Sequence, residues 1–86
     1  MPDTTGARSR VKGPFSELEK QILAAHAAGN KALLSRLYGE AADNFQNCGD
    51  ADAEAFFLTH GWIFALDSGA PEASSYEQRL KELGRL

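Results

Sequence analysis

FFLTHGWIFALDSG, residues 56–69, places Phe56, Phe57, Leu58, Trp62, Ile63, Phe64, Ala65 and Leu66 in one segment with almost no polar interruption. It lacks the strict two-residue alternation of a half-buried strand, so it is read as helix. At about 100° per residue its apolar side chains fall into three groups. Ala55, Leu58, Trp62, Ala65 and Leu66 share one broad face, and Phe57, Gly61 and Phe64 share a second, where Gly61 lets a neighbouring backbone come close. Phe56 and Ile63 lie on a third side with His60 and Asp67. A helix apolar on every side has to be covered on every side. One account makes it the central helix of a small domain, touching all its sister helices. The other leaves Phe56, His60 and Ile63 uncovered as a contact patch for another chain. The choice turns on whether the first helix reaches over that side.

Working outward, Gly29-Asn30, Gly49-Asp50 and Gly69-Ala70 recur at twenty-residue intervals. Glycine ends a helix in the left-handed conformation, and Asn or Asp beside it caps the next one. Four helices follow. The first is expected to begin at Ser16, whose spacing to Glu19 is that of a capping box, and to present Leu18, Ile22 and Ala25 before Gly29. The second runs from a cap at Asn30 to about Cys48, with Leu33, Leu34, Leu37, Tyr38, Ala41, Ala42 and Phe45 on one face. The third runs from a cap at Asp50 to about Asp67, with Asp52 and Glu54 near the positive end of its dipole. The fourth opens at Pro71, sets Ala73, Tyr76, Leu80 and Leu83 on one side, brings Arg79 and Lys81 towards its C-terminus and stops at Gly84. Turns this short make consecutive helices antiparallel. The expected fold is all-α: four antiparallel helices as two stacked hairpins, tetratricopeptide-like or a small bundle.

With 86 residues, 43% of them hydrophobic, the chain makes one small globular domain. Residues 1–14 hold Arg8, Arg10 and Lys12 against Asp3, a net +2, with few apolar side chains. They are expected to form a mobile basic tail ahead of a helical domain at 15–86; an arm docking on an acidic partner is the sharper alternative. Residues 15–86 carry six cations against eleven acids, a net −5, which repels a polyphosphate and argues against nucleic acid. No secretion leader or membrane span is read, and the single cysteine, Cys48, excludes an internal disulfide, so a cytoplasmic setting is expected.

Tyr38, Ala41, Ala42, Phe45, Gly49, Asp50, Leu58 and Gly61 fall at the spacing of a tetratricopeptide repeat, and residues 36–61 resemble that family. Glu54 stands where the family has a small alanine, no proline closes the unit near Leu66, and the turns recur at a longer step. The resemblance implies peptide binding along the exposed side of the second helix, at Arg36, Asp43, Gln46 and Asn47. The family's carboxylate clamp is not reproduced, since Gly39, Glu40 and Asp43 occupy its places. So few units imply self-association.

Chemistry is sparse. His26, His60 and Cys48 are the available soft or borderline ligands. His26 and Cys48 belong to opposite ends of the second helix, roughly 25 Å apart at about 1.5 Å per residue, and His60 is expected far from both, so no metal site is read. His26 is expected beside the carbonyls of its own last turn. Cys48, near a helix C-terminus, lacks what activates a thiolate. No phosphate loop, nucleophile elbow or His-Glu-x-x-His helix occurs, and no catalytic residue or cofactor is assigned. The expectation is a non-catalytic interaction module, a homodimer through Phe56, His60 and Ile63. The alternative is a small-ligand or regulatory protein with a pocket beside Trp62 and His60.

Overall fold

The computed structural model describes residues 14–86, as four helices: α1 (Pro14–Ala28), α2 (Lys31–Cys48), α3 (Ala51–Ser68) and α4 (Glu72–Glu82). No strand occurs among the described residues, and none of their helices is long and apolar enough to cross a membrane. The tail assigned to residues 1–14 lies outside the described residues, apart from Pro14, which opens α1.

The inner helix boundaries follow from their caps. Asn30 Oδ1 accepts from the Leu33 amide at 3.1 Å, and Asp50 Oδ1 accepts from the Ala53 amide at 3.1 Å. Each satisfies one of the amides that the first turn leaves without a helical partner. At the far end of α2, Gly49 turns left-handed at φ 77° and its amide bonds back to α2 carbonyls. The start of α1 corrects the sequence reading. Ser16 is the third residue of the helix and cannot be its cap, because proline at Pro14 has no amide to satisfy and a φ already suited to a first turn.

The helices pack in chain order, α1 on α2, α2 on α3 and α3 on α4, with α4 also touching α2. The row does not close, since α1 and α4 make no contact. Nor does α1 lie along α3 as the covered-helix account requires; it flanks α2, and His26 near its end meets α3 edge-on at Phe64. Two cores result. Leu18, Ile22, Ala25, Leu34, Leu37 and Ala41 fill the α1–α2 side, while Ala42, Ala55, Leu58, Ala65, Tyr76 and Leu80 fill the side towards α4. Phe57 packs against both. Alanines at 41, 42, 55 and 65 let the backbones approach, so the fully buried Leu34, Leu58 and Leu80 suffice as bulk.

Tyr76 locks α4 onto the first two-thirds of the fold. Its ring slides between two glycines: a Cβ at Gly39 would sit 2.0 Å from its Oη, and one at Gly61 would sit 3.1 Å from its Cε2 and 3.3 Å from the Ser35 carbonyl oxygen. Its hydroxyl donates to that same carbonyl at 2.9 Å. Gly61 thus admits a neighbouring backbone, as its place in the sequence implied. Burial, followed by the nearby Glu72 carboxylate, raises the Tyr76 pKa above 10.0, and burial raises that of Tyr38. The folded state therefore keeps phenolic protons that the unfolded chain gives up. Stability is expected to be independent of these tyrosines below pH 10 and to fall as pH rises from there through their folded-state values. Urea midpoints between pH 9 and 11.5 measure it, and Tyr76→Phe is expected to flatten the decline.

Candidate functional site

The open row leaves one side of α3 bare. Phe56 is 56% exposed, Ile63 49% and Leu66 57%. Leu66 departs from the sequence reading, which grouped it with the covered face. It stands one position, about 100°, beyond buried Ala65, past the edge that the eleven-residue α4 covers. Together with Thr59, these side chains step by three, four and three along the helix and form a straight apolar ridge.

The polar groups of the ridge are satisfied within the helix. Thr59 Oγ1 donates to the Ala55 carbonyl at 2.8 Å, which turns its methyl group outward from that bond. His60 Nδ1 lies 2.9 Å from the Phe56 carbonyl oxygen; because a carbonyl only accepts, Nδ1 carries the proton and Nε2 is left as an acceptor. The Phe56 ring is itself held, 4.5 Å from the His60 ring and edge-on to Phe57 at 5.1 Å.

Beneath Phe56 the rings continue into the interior. Phe57 stacks on Phe45 at 5.3 Å and on Tyr38 at 5.9 Å, and Tyr38 stacks on Phe64 at 5.7 Å. His26 meets Tyr38 at 6.0 Å, with its Nε2 2.9 Å from the Tyr38 hydroxyl. The expectation that His26 turns to its own last-turn carbonyls is thus replaced by a contact between helices. Tyr38 lies between the two histidines, meeting His60 with its ring at 5.5 Å and His26 with its hydroxyl. Cys48 is exposed at the end of α2. No group of three His, Cys, Asp or Glu able to hold a metal ion occurs among the described residues.

Trp62 and His60 are separated by α3 itself. Trp62 packs against the core on the α4 side, and its Nε1 is buried without a hydrogen-bond partner among the described residues. His60 faces the ring cluster.

The residues assigned to α2 divide. Arg36 and Asp43 line a shallow groove of about 360 Å³ between α2 and α4, with Glu40, Glu72 and Tyr76. Gln46 and Asn47 are exposed beyond it near the end of α2. Part of that groove is already occupied by protein charge: Arg79 Nη1 donates to Asp43 at 2.8 Å and its Nη2 to Glu54 at 3.0 Å, while Ser35 Oγ donates to Glu72 at 2.8 Å. Sequence reasoning missed Ser35, Gly39 and the Arg79–Glu54 pair. Small residues four apart at Ser35 and Gly39 on the polar side of α2 were the available signal for a second helix there.

No family model matches the chain, and neither a curated protein nor a solved structure matches it.

Proposed function

We propose that this protein is a non-catalytic protein–protein interaction module whose contact surface is the α3 ridge of Phe56, Thr59, Ile63 and Leu66, with His60 at its margin. The observation that carries this reading is a contiguous apolar strip, on a rigid helix, whose neighbouring polar groups are already hydrogen-bonded. Its three large side chains leave roughly 350 Å² of apolar surface in water, within the range of the largest patch on a small monomer, which is often a functional one. Burying such a strip on two partners yields on the order of 10–20 kcal/mol gross, much of which the ~4–15 kcal/mol cost of association offsets. A reversible complex follows, suited to regulated assembly in the cytoplasmic setting inferred from composition. The tetratricopeptide-like spacing of Tyr38, Ala41, Ala42, Phe45, Gly49, Asp50, Leu58 and Gly61 supports the same class. The peptide-binding side that the resemblance implies on α2 is the weaker candidate, because Asp43 there is engaged by Arg79.

Sedimentation equilibrium of the full chain across a concentration series tests the reading. Self-association is expected in the wild type and is expected to weaken at least about 30-fold in Phe56→Ser/Ile63→Ser, at about 1 kcal/mol or more per lost anchor. Both positions are exposed, so the helical circular dichroism is expected to be retained. Self-association that persists in the double variant removes the ridge from the proposal.

A further inference from the structure

Given the α3 ridge as the contact surface, its occupant can be specified. We infer that a second copy of this chain docks α3 against α3 in antiparallel, two-fold register, with each copy's Leu66 entering a hole that the other forms at Asp52, Ala55, Phe56 and Thr59.

The hole is a depression of about 290 Å³, lined by those four residues and by Arg85, which pairs with Asp52. Positions 52, 55, 56 and 59 are spaced i, i+3, i+4 and i+7, the four-residue diamond that receives a single knob from a facing helix. Its centre lies level with residues 55 and 56, ten residues or roughly 15 Å from Leu66, the exposed knob at the other end of the same ridge. One helix carrying a hole at one end and a knob at the other is complementary to its own reversed copy. Pairing Leu66 with the hole fixes the register: Phe56 lies beside the partner's Leu66 and Thr59 beside the partner's Ile63, with the two-fold axis near Gly61.

Side-chain size selects the same direction. Antiparallel pairing sets large Phe56 against Leu66 and small Thr59 against Ile63, so the gap between helices stays even. Parallel pairing would oppose Phe56 to itself and Thr59 to itself, and so splay one layer and leave a void in the next. Charge agrees. Each end of the ridge carries an acid with a nearby cation, Asp52 with Arg85 from the segment after α4 and Asp67 with Lys31 at the start of α2 at 3.5 Å. Reversal sets the two ion pairs side by side across the interface, two acids beside two cations, so no uncompensated charge is introduced, and the two α3 dipoles lie opposed. A strongly charged partner would find nothing to match on this ridge, whereas a second copy matches it at both ends.

Oxidative crosslinking in a Cys48→Ser background tests the geometry, with sedimentation run on every variant. In the proposed register, Asp52 of one copy lies within roughly 5 Å along the axis of the partner's Asp67, whereas the two copies of Asp52 are roughly 27 Å apart. A mixture of Asp52→Cys and Asp67→Cys chains is expected to give a mixed disulfide dimer, and each variant alone is expected to give none. Dimers that crosslink Asp52→Cys to itself would overturn the antiparallel register while leaving the ridge as the contact surface. A wild-type chain that stays monomeric at about 0.5 mM would overturn the second copy as occupant. Association that survives both Leu66→Ser and Phe56→Ser/Ile63→Ser would sink the ridge itself, and this inference with it.

Discussion

Gly39→Ala is expected to destabilise the fold by about 2–4 kcal/mol, the range for forcing atoms into a packed interior while a buried hydrogen bond is lost. The added Cβ would lie 2.0 Å from the Tyr76 hydroxyl oxygen and 2.7 Å from its Cζ. Real contacts of that kind do not occur, so Tyr76 must leave its slot, and with it goes the bond to the Ser35 carbonyl and the seat of α4 on α2. A domain of this size holds only about 5–15 kcal/mol in total, so one methyl group consumes a large share. Urea denaturation followed by circular dichroism gives the number. A double-mutant cycle identifies the cause. Tyr76→Phe alone is expected to cost about 1 kcal/mol for the hydrogen bond, but it removes the closest clashing atom, so Gly39→Ala is expected to cost at least about 1 kcal/mol less in the Phe background. Additive costs would show that the glycine serves something other than the tyrosine.

How much of this was legible in the sequence depends on which partner each residue needed. Helix number, turns and the caps at Asn30 and Asp50 were readable because they rest on neighbours within four residues. The covered face of α2 was readable because Leu34, Leu37, Ala41 and Ala42 repeat at helical spacing. Its second buried side was not, because Ser35 and Gly39 carry no hydrophobic signal and acquire meaning only when Tyr76 arrives from forty residues away. The wheel set Phe56, His60 and Ile63 on one side of α3, but it could not say whether that side was covered; Phe56 and Ile63 are exposed and His60 is half-buried. The answer lay in α1, which flanks α2 and does not run alongside α3. Leu66 was assigned to the covered face because a wheel gives angle and not the width of the helix that packs there. Its exposure adds the fourth member of the ridge and the knob that gives the ridge a direction.

The Arg79–Glu54 pair is the other feature invisible along the chain, and it yields an asymmetric expectation. Glu54 is 5% exposed, and its carboxylate is compensated by Arg79 from α4. Arg79 is less buried and also holds Asp43 on α2, so it ties three helices through one guanidinium group. Removing the cation strands a charge in the interior, whereas removing Glu54 leaves Arg79 with its second acid and some water. Arg79→Met is therefore expected to cost about 2–4 kcal/mol, and Glu54→Ala about 1 kcal/mol or less. Combining them is expected to recover most of the Arg79→Met loss, because the apolar pair leaves no uncompensated buried charge. Thermal unfolding of the three variants beside the wild type decides it. If the double variant were as unstable as the sum of the single ones, the guanidinium group would be acting through Asp43 alone, and the buried acid would need another compensating partner in the fold.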